Sequence, residues 1–104
     1  AFGTVADAKA WLDKVQAAFG RTPIIYTQKS VLDACYGSTT AFAGYPMQLA
    51  DYRRSITAPP LPAGSSTWLM WQYTDAAIPD GLQAPATADV FNGSQADLDR
   101  LANK

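Results

Sequence analysis

The sequence predicts an α/β fold resting on a short run of parallel strands, and three observations carry that expectation. A capped amphipathic stretch leads through a Gly-Arg link into a continuously apolar run, Thr22-Pro-Ile-Ile-Tyr-Thr27, which reads as half of a βαβ unit. The segment Thr67 to Thr74, TWLMWQYT, reads as a strand, because aromatic side chains suit a pleated surface better than a helix. Proline-rich segments flank it and exclude crossover helices there. The expected order is helix, strand, helix, strand, strand, strand, helix: four strands and three helices in one partial domain spanning 1–104.

Thr4 caps the first helix, with Asp7 placed where a carboxylate favours the positive N-terminal end. The helix runs to Phe19, and Gly20 stops it. Val5, Ala8, Leu12, Val15 and Phe19 form one apolar stripe at spacings of three and four. The strand 22–27 that follows is expected to be buried on both faces. A short helix follows from Gln28 to Tyr36, ended by Gly37, and Ser38 to Gly44 is a small-residue connection. Tyr45 to Tyr52 is the next strand, with Asp51-Tyr52 at its C-terminal end.

Residues 53–66 hold Pro59, Pro60, Pro62 and Gly64, which leaves an extended loop. In the Trp-rich strand, alternation puts Trp68, Met70, Gln72 and Thr74 on one face and Leu69, Trp71 and Tyr73 on the other. Residues 75–85 form a second turn-rich loop. Thr87 to Phe91 is the fourth strand, and Ser94 caps a final helix through Leu98 and Leu101. Four such strands make an open sheet with two unpaired edges, which invites a covering partner.

Composition narrows the chemistry further. A chain of 104 residues with 48% apolar and 16% charged residues is a globular chain, burying ~65% of the surface its unfolded form exposes. No apolar run approaches the ~20 residues of a bilayer span. The formal net charge is −1, and no basic stripe is present to neutralise phosphates, so nucleic acid is not an expected partner. There is no His, and all 9 acidic residues are Asp. Ser-His and Cys-His nucleophile pairs and imidazole metal ligands are therefore excluded, and the single Cys35 reads as a small core residue. No metal or other cofactor is expected. Ala1-Phe2-Gly3 lacks the charged start and long apolar run of an export signal.

The series Gly20-Arg-Thr-Pro-Ile-Ile-Tyr-Thr27, Gln48-Leu-Ala-Asp-Tyr52, Trp71-Gln-Tyr-Thr74 and Val90-Phe-Asn-Gly-Ser94 resembles the C-terminal half of glycoside hydrolase family 25, the Chalaropsis-type lysozymes or N-acetylmuramidases. The resemblance implies the C-terminal half of an irregular, flattened (β/α)5β3 TIM-like barrel. It implies hydrolysis of the β-1,4 bond between N-acetylmuramic acid and N-acetylglucosamine in bacterial peptidoglycan, by a secreted or phage-encoded endolysin. The family's Asp-x-Glu signature, whose Glu acts as general acid, is expected just upstream of Ala1.

What this half would supply is the other wall of the groove. Tyr26, Asp51, Tyr52, Gln72 and Tyr73 are the candidate sugar contacts, since C-terminal strand ends carry the site in parallel barrels. Asp89 is the candidate catalytic carboxylate. The family reads Val-Asp-x-Asn-x-Phe where this chain reads Ala86-Thr-Ala-Asp-Val-Phe91, so Asp89 is displaced by roughly 6–7 Å along the strand from the usual position, Thr87. Each residue also has a structural alternative: satisfied core hydroxyls for Tyr26 and Tyr73, a solvated strand end for Asp51, an interior amide for Gln72, and backbone hydrogen bonding for Asp89. Asn92-Gly-Ser94 matches a glycosylation acceptor but reads first as a helix cap.

Two functions stay open. One is a muramidase portion completed by the N-terminal half of the barrel. The other is a non-catalytic half-barrel that grips wall glycan or assembles as a homodimer.

Overall fold

The computed structural model describes residues 3–103, and Ala1, Phe2 and Lys104 lie outside the described residues. The elements are α1 (Val5–Phe19), β1 (Ile25–Thr27), α2 (Lys29–Tyr36), β2 (Met47–Ala50), β3 (Met70–Ala77), β4 (Ala86–Phe91) and α3 (Gln95–Ala102). The strands form one sheet in the order β1-β2-β3-β4. The first three are parallel, and β4 runs antiparallel to β3. Type and order of every element match the expectation from sequence.

Helix α1 begins in a capping box. Thr4 Oγ1 accepts the Asp7 backbone N–H at 3.2 Å, and the Asp7 carboxylate accepts the Thr4 N–H at 2.9 Å. It ends where Gly20 turns left-handed at φ 68 and donates to the Gln16 carbonyl, a conformation that glycine adopts without a Cβ clash. Val5, Ala8 and Leu12 pack against the core. Phe19, expected in the same stripe, is 76% exposed. The helix is about 22 Å long, whereas β2 spans only about 13 Å, and Phe19 lies beyond the residues of α1 that pack on the core.

The core is Phe42, Tyr45, Met47 and Leu49, ringed by Ile25, Leu32, Tyr36, Leu61 and Trp68 among others. Phe42 lies in the supposed small-residue connection and is nonetheless an anchor, edge-on to Tyr36 with ring centroids 5.3 Å apart. Tyr45 is fastened to α1 by its hydroxyl, which receives Lys9 Nζ at 2.8 Å and donates to Asp13 at 3.0 Å. Cys35, on α2, is half-buried rather than deep in the core.

The loop 53–66 does the covering that a crossover helix would otherwise do. Pro59 and Pro62 are buried and Leu61 joins the core, while Asp33 accepts the Ala63 N–H at 2.9 Å. At Gly64 the chain passes so close to residue 39 that a Cβ would stand 1.8 Å from the Thr39 carbonyl oxygen.

The strands differ from expectation in extent: β2 is only Met47–Ala50 rather than Tyr45–Tyr52, and β4 starts one residue earlier, at Ala86. β1 starts at Ile25 rather than Thr22, and β3 runs from Met70 to Ala77 rather than from Thr67 to Thr74. Trp68 precedes β3 and packs on the core, while antiparallel pairing with β4 carries β3 past the end of its parallel partner. The β3–β4 register slips between Gln72 and Thr74 and again before Ala77. Strict alternation therefore fails: Thr74 stands opposite Ala88, out of phase with Gln72 opposite Asp89.

Ile25, Met47 and Leu49 face the helices, and alternation turns Tyr26, Gln48, Gln72 and Asp89 to the other face. That face is not covered by helices, which is why Tyr26 is 56% exposed and β1 is not buried on both sides as expected. The accessible surface is 6840 Å², against roughly 5,700 Å² for a compact monomer of this mass. The radius of gyration is 15.0 Å, against about 13 Å.

At the far end, Ser94 caps α3 in a second box with Asp97, and Asn92 Nδ2 donates to the Trp68 carbonyl at 2.8 Å. Asn92-Gly-Ser94 is thus the entry to a helix.

Candidate functional site

Two tyrosines and one glutamine meet on the uncovered sheet face. Tyr26, on β1, donates its hydroxyl to Gln72 Oε1 at 2.7 Å, and Tyr52, just past β2, donates to the same oxygen at 2.6 Å. An amide oxygen has two lone pairs, and both are used. Gln72 is 6% exposed, so a buried amide is satisfied by hydroxyls whose rings stay open to solvent. Partial desolvation pushes the Tyr52 phenol above its ordinary range, and the neighbouring Tyr26 and the negative charges of Asp75 and Asp89 add to the shift. Tyr52 is a neutral donor at neutral pH.

Beside this cluster, Gln48 Nε2 donates to Asp89 Oδ2 at 2.7 Å. Because Gln72 pairs with Asp89 across β3 and β4, the carboxylate lies on the same face as the tyrosine–glutamine cluster. Asp51 is engaged differently. Its carboxylate takes Arg53 Nε at 2.9 Å and Nη2 at 2.7 Å, and the Arg53 guanidinium holds its carboxyl below the usual carboxylate range. The Asp51 backbone locks the strand ends together, its N–H donating to the Gln72 carbonyl and its carbonyl accepting the Trp71 indole N–H at 2.9 Å.

Tyr73, the fifth candidate contact, packs its ring on Trp71 with centroids 5.8 Å apart, at the register slip, rather than joining Tyr26 and Tyr52 on Gln72. The structure therefore brings together Tyr26, Tyr52, Gln72 and Asp89, and leaves Asp51 and Tyr73 at their margin. It adds Gln48 and Arg53, which the sequence reading did not select as site residues. Gln48, Ala50 and Tyr52 stand two apart, and that spacing was the available signal for Gln48.

Several carboxyls carry a resolved shift, and each is downward. Asp7 and Asp97 are lowered by capping hydrogen bonds, Asp13 by Lys9 then Tyr45, Asp33 by Lys29 then the Ala63 N–H, and Asp51 by Arg53. None of these five is poised as a proton donor near neutrality, which requires a raised pKa. Among the described residues, no group of three or more His, Cys, Asp or Glu side chains is placed to hold a metal ion. No described helix is long and apolar enough to cross a membrane.

The sequence profile of Glycosyl hydrolases family 25 matches residues 3–82. The chain belongs to this family. Lysozyme M1 of Streptomyces globisporus is 32% identical over 100 residues, covering 91% of this chain and 33% of that protein. The N,O-diacetylmuramidase of Chalaropsis sp is 35% identical over 100 residues, covering 94% of this chain and 44% of that protein. Among solved structures, the bacterial lysozyme from Streptomyces coelicolor superposes with a TM-score of 0.85 at 30% identity, over 96% of this chain and 48% of that one.

The chain thus spans between a third and a half of these relatives. Its four strands and three helices match part of the family 25 barrel.

Proposed function

We propose that this chain forms one wall of a family 25 muramidase groove, which cleaves the β-1,4 bond between N-acetylmuramic acid and N-acetylglucosamine in bacterial peptidoglycan. The observation that carries the reading is the convergence of Tyr26 and Tyr52 on Gln72 Oε1. It fixes two aromatic rings beside a satisfied amide, and such rings offer apolar faces to sugar C–H groups and hydroxyls to sugar oxygens. Tyr73 and Asp51 extend the wall, Asp51 through its ion pair with Arg53. Asp89, held by Gln48, is the carboxylate that would face the oxocarbenium-like transition state.

Glycoside hydrolysis needs a second, protonated carboxyl to hand a proton to the leaving sugar oxygen. These 104 residues contain no Glu, and the five Asp shifts described above all run the wrong way for that task. The acid is therefore assigned to the N-terminal half of the barrel, carrying the Asp-x-Glu strand. Carboxylates and water suffice for the reaction, and the expected place of action is the bacterial wall, outside the cell that makes the protein or during phage release.

A second reading is favoured by the surface left open, over a thousand Å² beyond the roughly 5,700 Å² of a compact monomer. In it, the half-barrel grips wall glycan without cleaving it, or closes with a second copy. Mixing the protein with a fragment bearing the Asp-x-Glu strand separates the two. Restored lysis of bacterial walls supports the muramidase reading. A folded, associated complex that leaves walls intact, with calorimetric binding of muramyl oligosaccharides by the protein alone, transfers the assignment to the binding module.

A further inference from the structure

Strict alternation along β3 would turn Asp75 away from Gln72, since residues an odd number apart point to opposite faces of a sheet. The strand does not keep that alternation. Gln72 stands opposite Asp89, but Thr74 stands opposite Ala88, so two steps on β3 match one step on β4. Paired residues share a face, and Ala88 points away from the face of its neighbour Asp89. Thr74 is therefore turned away from the uncovered face, and Asp75, next along, is turned to it with Gln72 and Asp89. Bulges of this kind re-aim side chains beside functional sites.

Two further observations agree with this placement. Asp75 and Asp89 both act as negative neighbours of the Tyr52 phenol, whose hydroxyl rests on Gln72 at 2.6 Å, so Asp75 lies within electrostatic reach of the tyrosine–glutamine cluster. The bulge is also pinned locally. Thr74 Oγ1 accepts the Ala76 N–H at 3.0 Å, a bond from a hydroxyl to the backbone two residues on that needs no neighbouring strand. The second slip precedes Ala77, which pairs with Ala86, so Asp75 and Ala76 together face Thr87 between two fixed pairs.

Asp75 is exposed. The ion pairs among the described residues engage Asp13, Asp33, Asp51 and Asp97, and Asp89 is fastened by Gln48. Asp75 is thus the carboxylate of this face with its acceptor positions open to a ligand. A carboxylate accepts hydrogen bonds and donates none. What it can take from a glycan is a hydroxyl or an acetamido N–H, in a charge-assisted bond about twice as strong as a neutral one.

We propose that Asp75 is a glycan contact of the groove wall, accepting an O–H or N–H of the sugar unit that lies across Tyr52, and that Thr74 is the residue that positions it. The inference rests on the peptidoglycan reading above and deepens it: Asp75 is a carboxylate that binds the sugar, whereas Asp89 is the one that faces the transition state.

Two measurements on the whole chain test it, one without glycan and one with it. In the first, ionisation of Tyr52 is followed through its assigned ring resonances by NMR. Asp75→Asn is expected to lower the Tyr52 pKa, because a negative neighbour is removed. Thr74→Val should move it in the same direction, as the unpinned bulge lets the carboxylate swing away, and Asp80→Asn, which changes the net charge equally from the following loop, should leave it in place. An unchanged Tyr52 in Asp75→Asn overturns the placement.

In the second, calorimetric titration with an oligomer of N-acetylglucosamine and N-acetylmuramic acid is expected to show binding about tenfold weaker in Asp75→Ala and roughly threefold weaker in Asp75→Asn. Asp80→Asn should bind like the parent, and circular dichroism should show every variant folded. Parent-like affinity in Asp75→Ala, or an equal loss in Asp80→Asn, overturns the contact while leaving the wall of Tyr26, Tyr52 and Gln72 intact. Failure of the parent itself to bind overturns the wall and the contact together.

Discussion

Gln48 on β2 reaches past β3 to give its amide N–H to Asp89 on β4, at 2.7 Å. Adjacent strands lie about 4.8 Å apart, so the bond bridges two strand spacings along the uncovered face. It ties a strand of the parallel block to the antiparallel strand, and it aims the carboxylate that the proposed function places in the groove.

A double-mutant cycle on Gln48→Leu and Asp89→Asn is expected to show coupling of about 0.5–1 kcal/mol in urea unfolding, the scale of a solvent-accessible hydrogen bond. The larger effect is expected on glycan affinity. Gln48→Leu should lower it roughly fivefold, corresponding to about 1 kcal/mol, because Asp89 is freed to rotate. Calorimetry with a muramyl oligosaccharide checks it, and unchanged affinity would remove Gln48 from any positioning role.

Gln72→Leu removes the acceptor shared by Tyr26 and Tyr52. Both tyrosines are about half exposed, so water can replace the lost partner, and the stability cost should fall near the lower end of about 1–3 kcal/mol. Chemical denaturation measures that cost.

The Tyr52 phenol is raised above its ordinary value by desolvation and by neighbouring Tyr26, Asp75 and Asp89. A group whose folded pKa is raised stabilises the fold fully below its unfolded value, and the contribution is lost as pH rises through the folded value. Loss of stability is therefore expected above about pH 10, and Tyr52→Phe should flatten that alkaline limb. An identical alkaline limb in parent and variant would refute the assignment.

The opposite sign holds at low pH. Asp7, Asp33, Asp51 and Asp97 all have depressed pKa values in the folded protein. Their stabilisation is complete above the unfolded value of about 3.9 and disappears as pH falls through the lower folded values. Thermal unfolding between pH 6 and 2 should show the midpoint dropping below about pH 4. Ser94→Ala, which removes the α3 cap, should cost about 1 kcal/mol at neutral pH and weaken the acid dependence contributed by Asp97.

Phe42→Ala should cost about 3–5 kcal/mol, since Phe42 is 3% exposed and belongs to a core of only a few fully buried side chains. For a chain with so much open surface, that loss is expected to abolish cooperative unfolding. A sharp, fully reversible transition in the variant would show that the core extends beyond this cluster.

Much of this architecture was legible in the residues. The two N-caps, Thr4 and Ser94, are local side-chain-to-backbone bonds and depend on nothing distant. Gly20 ends α1 for an equally local reason, and the prolines of 53–66 exclude a helix wherever they lie. Tyr26, Tyr52 and Gln72 could be selected because polar groups at the ends of apolar strands must be either satisfied or functional.

The misplaced features share a cause in long-range packing. Phe42 sits among small residues and reads as loop, yet the space under α2 makes it a core anchor. Phe19 keeps the helical period but outruns the short strands beneath it. Gln48 and Asp89 are 41 positions apart, and their contact needs the register of two intervening pairings.

The sequence by itself determined the kind and order of the elements, their caps and stops, and a family membership, because propensity, periodicity and short motifs act over a few residues. Only the tertiary structure decided that Tyr26 and Tyr52 share one oxygen of Gln72, that Asp51 is occupied by Arg53, and that a slip after Gln72 takes Thr74 out of phase with it. Those outcomes depend on strand register and on which face the helices cover, and a register is set by the sum of many distant contacts rather than by any one stretch of chain.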